Sequence, residues 1–260
     1  MEGWSRSILF LIFVVLDFYR QKIQLMEQWT TSSGYRVHQV LKGRGNAYLV
    51  SAGDHHLLVD TGMKSSFRRL GQTLNRLLPK NKTLDFLVLT HTHYDHCQSA
   101  ARIQEKENCR VVVGKVELPY AQKGFAPLPR GTSLMPRLLT GIGNLVGRGA
   151  FGYSAFEPDL AIEDDYDLMG GLARVRLITT PGHSPGSVSL LVDDEVAVVG
   201  DAAFGIFRNT IFPPFADDTR GLIQSWKKLL DTDCHTFLPG HGGPISRKML
   251  EKEYRRRAKR

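Results

Sequence analysis

Cysteine is scarce in this 260-residue chain, and its three copies (Cys97, Cys109 and Cys234) are odd in number. That excludes a disulfide scaffold and suits a reducing compartment, so the expected location is the cytoplasm. Long apolar runs are missing too. The longest, Ile8–Leu16, has nine residues, against about 20 for a membrane-spanning helix. It follows Arg6 as the apolar part of a secretory signal would, yet Asp17-Phe18-Tyr19-Arg20 offers no small-residue cleavage site. Residues 1–25 therefore read as a start artefact ahead of Met26, a packed helix, or a segment that touches a membrane surface through residues 8–19. Acid is the third shortage, with 26 Asp and Glu against 34 Lys and Arg and a net charge of +8. The excess is local. Residues 247–260 hold eight basic and two acidic side chains, and residues 1–25 hold three and two, which leaves +1 for the other 221 residues. A nearly neutral domain argues against a nucleic-acid partner, whose phosphates select a basic face. The basic tail reads as a solvated helix end, with anionic lipid or RNA as the sharper alternative.

What is present is a well-supplied core and a repeated strand–turn signal. Ala47–Ser51 and His56–Asp60 read as strands joined at Gly53-Asp54. Lys64–Leu78 has helical apolar spacing and stops at Pro79. Asp85–Thr90 reads as a buried strand, 98–107 as a helix and Arg110–Val113 as a strand. Further strands are expected at 174–179, 187–192, 195–199 and 235–238. A helix is expected at 217–230 and a basic helix from Ile245. Leu118–Phe156 stands apart: 39 residues without one acid, with Lys123, Arg130, Arg137 and Arg148 and many Gly and Pro. It reads as an insertion between core elements, long enough to serve as a lid.

The chemistry-bearing signal is Thr90-His-Thr-His-Tyr-Asp-His96, directly after the buried strand. On an extended backbone alternate side chains share a face, so His91 and His93 can reach one cation together. The following turn offers Asp95 and His96 nearby. Imidazole with carboxylate suits zinc or iron. Three later turns each add a single candidate ligand after a strand: His183 in Thr180-Pro-Gly-His-Ser-Pro-Gly186, Asp201 after Gly200, and His241 in Pro239-Gly-His-Gly-Gly-Pro244. The other four histidines, His38, His55, His56 and His235, lack such settings and read as structural.

This ordered set, from about Ala47 to Pro244, resembles the metallo-β-lactamase superfamily of metallohydrolases. The resemblance implies an α/β fold, an αβ/βα four-layer sandwich of two mixed β-sheets with outer helices and the site at one edge. It implies two zinc ions, with iron or manganese as alternatives. His91, His93 and His183 would hold one, Asp95, His96 and His241 the other, and Asp201 would bridge them. It also implies hydrolysis by a metal-bound hydroxide, with Asp95 orienting the nucleophile and taking its proton. Val59-Asp60-Thr61-Gly62 matches the family's early motif, whose aspartate buttresses the ligands. Cys97 has no role in the pattern and reads as a buried thiol.

Within the family, absences narrow the choice. Asp201 stands where the true β-lactamases place a cysteine. Only 40 residues separate it from His241, too few for the extra domain of the RNA-processing nucleases, and no glutathione-binding helical domain follows. Ala202, Ala203 and Phe204 stand where the lactonases carry a tyrosine. The expected function is hydrolysis of an ester, thioester or phosphodiester bond in a small-molecule substrate, acylated or anionic. The alternatives are a mononuclear iron persulfide dioxygenase and a nuclease or RNA-binding member. Phe204, Phe207, Phe212 and Phe215 with Arg208, together with apolar residues of 118–156, are expected either to form a cation-edged groove over the metals or to pack the insertion.

Overall fold

Apolar side chains in the strands alternate between two faces, and each face has its own cover. The computed structural model describes residues 27–168 and 172–259; the apolar run at 8–16 lies outside them. The first half contains β1 (Gln28–Thr30), β2 (Arg36–Leu41), β3 (Ala47–Ala52), β4 (His55–Val59), α1 (Phe67–Leu77), β5 (Phe86–Val88), α2 (Tyr94–Cys97), α3 (Ala100–Glu107) and β6 (Arg110–Gly114). It continues with α4 (Leu118–Lys123), α5 (Leu134–Val146), α6 (Arg148–Phe151) and β7 (Leu160–Ile162). The second half contains β8 (Tyr166–Asp167), β9 (Val175–Thr179), β10 (Val188–Val192), β11 (Val196–Gly200), α7 (Thr219–Leu230), β12 (Thr236–Pro239), β13 (Ile245–Ser246) and α8 (Arg247–Arg257).

Two mixed sheets result, ordered β1-β2-β3-β4-β5-β6-β7 and β13-β12-β11-β10-β9-β8. Leu57 and Val59 point between the sheets, where they meet Leu177, Leu190 and Val198 of the other sheet. Leu58, Val111 and Val113 point outward onto Leu70, Leu74 and Ile103 of α1 and α3. Ala197 and Val199 face Leu222, Trp226 and Leu250 of α7 and α8. The αβ/βα sandwich is thus built from the two-residue period of the strands meeting the helical period outside.

Differences from the sequence reading have local causes. The helix expected from Lys64 opens with a 3₁₀ turn over Lys64–Ser66. β2 escapes a simple pattern because a bulge between Gln39 and Leu41 breaks its alternation. Segment 118–156 carries three helices rather than an irregular loop, and physical necessity explains them. β6 and β7 are parallel neighbours, so the chain must cross over between them, and crossovers are usually helical. Pro119 and Pro136 are tolerated because both stand in first turns, where the N–H has no intrahelical partner. The basic stretch from Arg247 folds as α8, whose Leu250 and Glu253 are buried. Among the described residues, no helix is long and apolar enough to cross a membrane.

Candidate metal centre

The seven sequence-derived candidates converge at one edge of the sandwich, on turns that follow β5, β9, β11 and β12. His91 and His93 lie on the extended chain beyond β5, and α2 turns Asp95 and His96 back toward them. Donor atoms of His91, His93 and His183 lie within 4.8 Å of one another, as do those of His91, His96 and Asp201, and those of Asp95, His96 and His241. Asp201 occupies the centre. Its Oδ2 is 3.3 Å from both His183 Nε2 and His241 Nε2, and its Oδ1 is 3.3 Å from His96 Nε2. Asp95 Oδ2 is 3.6 Å from His241 Nε2. Donor atoms around a four-coordinate zinc stand about 3.4 Å apart for bonds of about 2.1 Å, so the spacing fits a cation. The stronger sign is a buried polar atom with nothing to bind: among the described residues His91 Nε2 has no hydrogen-bond partner, and Asp201 Oδ1 accepts no well-formed hydrogen bond.

Four of the five imidazoles are oriented by the far nitrogen. His96 Nδ1 lies 2.8 Å from Asp60 Oδ2, and His183 Nδ1 lies 2.9 Å from the Phe215 carbonyl. His91 Nδ1 is 3.1 Å from Thr90 Oγ1, and His93 bonds the backbone of Pro127. Burial pushes His93 and His183 down to about 4 and His91 well below the usual histidine value. These rings are neutral at physiological pH, with lone pairs free for a cation. For His96 and His241 burial acts in the same direction, but the carboxylates together outweigh it, Asp201 with Asp60 at His96 and Asp201 with Asp95 at His241, and both are raised. Asp201 itself is held well below the usual carboxylate range: burial opposes this, and His241, His96 and His183 overcome it.

Asp60 lies behind the candidate ligand His96. Its carboxylate accepts from the Thr90 backbone N–H and hydroxyl at 2.8 Å each, besides facing His96. Its backbone is left-handed (φ 59°), a conformation aspartate tolerates better than most residues. Thr61 N, Gly62 N and Thr61 Oγ1 all donate to the His96 carbonyl, so the motif grips His96 from both ends.

Two supporting residues escaped sequence reasoning. Buried Glu117 accepts from the backbone N–H groups of Thr92 (3.0 Å) and Gly186 (3.2 Å), and from the hydroxyls of Ser184 (2.7 Å) and Thr92. It ties the His91–His93 segment to the His183 turn. The available signal was Thr92, a polar side chain forced by alternation onto the face opposite its two histidine neighbours. Buried Asn46 donates through Nδ2 to the carbonyls of Pro239 and Gly242 and so holds the His241 loop. Of the remaining histidines, His56 pairs with Ser51 and His55 with Asp85; none of the four belongs to a ligand group among the described residues. Cys97 is buried, donates to the Thr92 carbonyl (3.1 Å), and burial pushes its thiol well up.

A cavity of about 330 Å³ opens over the cluster, walled by Leu128, Leu139, Phe151, Phe204 and Phe215, with Arg44 at its side. The groove and packing readings both hold in part. Phe204 and Phe215 line it, whereas Phe212 packs edge-on against Trp226 and Tyr153 is buried in the outer core. Arg208 is exposed and is not among the lining residues; the cation at the cavity is Arg44, from the β2–β3 turn.

Residues 41–241 match the family model of the Metallo-beta-lactamase superfamily. The chain belongs to that superfamily. Among its relatives is the protein named "Probable metallo-hydrolase YflN" of Bacillus subtilis, 26% identical over 82% of this chain and 86% of that one. "Probable metallo-hydrolase YqgX" of the same organism is 30% identical over 76% and 85%. Among solved structures, the archaeal superfamily member ST1585 from Sulfolobus tokodaii superposes with a TM-score of 0.55 at 23% identity, covering 85% of each chain. The subclass B3 metallo-β-lactamase BJP-1 of Bradyrhizobium japonicum gives 0.61 at 18%, covering 86% of this chain and 88% of that one. At such identities these two share its fold.

Proposed function

We propose that this metallo-β-lactamase superfamily member is a metal-dependent hydrolase that cleaves an ester, thioester or phosphodiester bond in a small molecule with an apolar portion and an anionic group. The observation that carries this reading is the set of three ligand groups, linked through His91 and His96 with Asp201 in the middle one, beneath an apolar cavity with one arginine. His91, His93 and His183 would hold one ion, and Asp95, His96 and His241 the second, with Asp201 between them. Two zinc ions, iron or manganese being alternatives, would supply water acidified toward neutral pH and charge neutralisation at the scissile group. Asp95, partly exposed at the cavity wall, orients the attacking water and takes its proton. Arg44 pairs with the anionic group, while Leu128, Leu139 and the phenylalanines bury the apolar portion. No side-chain nucleophile is required, since Cys97 is buried and protonated.

Elemental analysis of purified protein, paired with a panel of ester, thioester and phosphodiester substrates, tests the proposal. About two transition-metal ions per chain and turnover of one class, lost on chelation and restored by metal, are expected. A single iron with oxygen consumption on a persulfide would replace it with the dioxygenase reading. A protein that takes up no metal would end both.

A further inference from the structure

The inner side of α5 contributes Leu139 and Thr140 to the cavity wall. Its outer side is also apolar. Leu134 and Leu145 are 85% and 87% exposed, and Leu138, Ile142 and Met135 are also open to solvent. At about 100° per residue these five side chains fall within an arc of about 100°, one continuous stripe along the helix. Stripes of that kind are normally covered, since exposed apolar residues on soluble proteins are scattered singly.

Charge says what covers it. The crossover segment 118–156 that carries α5 contains no acid, and Lys123, Arg130, Arg137 and Arg148 are all exposed. None of the four has an ion-pair partner among the described residues. Arg137 flanks the stripe on α5 itself, and Arg148 follows its end. α8 approaches the same edge: Arg257 stacks over Phe212 at 3.6 Å, and the neighbouring Pro213 and Pro214 carbonyls accept from Thr132, just ahead of α5. A second copy of this chain would bring cations against cations across a two-fold contact. The run at 8–16 is itself flanked by Arg6, Arg20 and Lys22 and meets the same objection. An apolar helical face edged by unpaired cations matches an anionic lipid surface, which takes the leucines at its acyl boundary and the cations at its headgroups.

We propose that the outer face of α5 docks this chain on anionic phospholipid bilayers, which sets the cavity within about one helix diameter, ~10 Å, of the lipid. Docking does not depend on which bond is cleaved or on metal loading. The test is flotation of the full chain with vesicles of phosphatidylcholine alone, or with about one-third phosphatidylglycerol. The wild type should float with the anionic vesicles, less so at high salt, and stay down with the neutral ones. Leu134→Asp/Leu145→Asp should lower anionic-vesicle affinity by at least ~10-fold, and Arg137→Gln/Arg148→Gln should weaken it and flatten its salt dependence. Leu134→Ser/Leu145→Ser replaces the aspartate pair should that variant fail to fold, as judged by its thermal transition. Undiminished flotation of the leucine variants would place the contact elsewhere, residues 8–16 included, and overturn the proposal. So would absence of wild-type flotation, or a shift of the leucine variants from dimer to monomer on size-exclusion chromatography, which would make a second copy the occupant.

Discussion

Asp201 and Asp60 are both buried aspartates beside His96, yet they perform different tasks and should fail differently. Asp201 approaches His96, His183 and His241 at 3.3 Å, which no other carboxylate does among the described residues. Asp201→Ala should therefore lower metal content below one ion per chain and abolish turnover, as read by elemental analysis and activity together. Asp60 touches the far side of His96 and the backbone and hydroxyl of Thr90, and it belongs to no ligand group among the described residues. Asp60→Ala should keep the ions but weaken their binding by about 10- to 100-fold, as measured by chelator competition. Glu117 supports two ligand-bearing segments at once. Glu117→Ala leaves the Thr92 and Gly186 N–H groups without their acceptor, at a cost of roughly 2–4 kcal/mol, visible as a lower urea midpoint in metal-free protein. At this scale, legibility followed residue type and spacing. Histidines crowded into six residues announce a cation, and Asp60 came with its motif. A single glutamate in a 3₁₀ turn, or an asparagine ahead of a strand, carries no pattern, because its partners lie 25 to 69 or 193 to 196 residues away.

The turns and the crossover segment make predictions of their own. In the Pro239–Gly240–His241 turn, a Cβ on Gly240 would overlap Asp201 Oδ1 and His96 Cε1. Gly240→Ala should thus deplete the metal centre while leaving far-UV circular dichroism unchanged, which makes it a point mutation aimed at the site through the backbone. The helical segment should show the converse. Replacing Gly131–Gly149 with a short glycine linker removes Leu139 and Thr140 from the cavity wall but spares Pro127, whose backbone bonds His93. Metal content should stay near wild type while KM rises more for lipophilic or anionic substrates than for small neutral esters. Most strands were legible from alternation and turn residues, to within a residue or two. The helices of 118–156 were not, since Gly and Pro mask helical spacing. What makes them helical is the crossover between two parallel strands, a constraint visible only once both are in place.

Across the whole molecule the two sheets are tied at the edge where the β1–β2 and β10–β11 turns meet. Asp193 accepts from the Ser33 backbone N–H at 3.0 Å, the Ser33 hydroxyl at 3.1 Å and Arg174 at 2.8 Å. Burial would raise its carboxyl, but the Arg174, Thr31 and Ser33 hydrogen bonds overcome it and bring it from 3.8 to about 2. A folded value below the unfolded one stabilises the protein fully above the unfolded pKa, and that share is lost as pH falls through the folded one. The thermal transition should accordingly fall more steeply between pH ~4 and ~2 in the wild type than in Asp193→Asn, which has already lost the contribution. The same division into halves governs how the centre is assembled. His91, His93, Asp95 and His96 come from the first half and His183, Asp201 and His241 from the second, and each of the three ligand groups draws on both. A nascent chain with only its first half folded can therefore present no complete group, however many histidines it displays. Metal capture at these groups would then be a proofreading event, available only to molecules whose halves have already closed on each other.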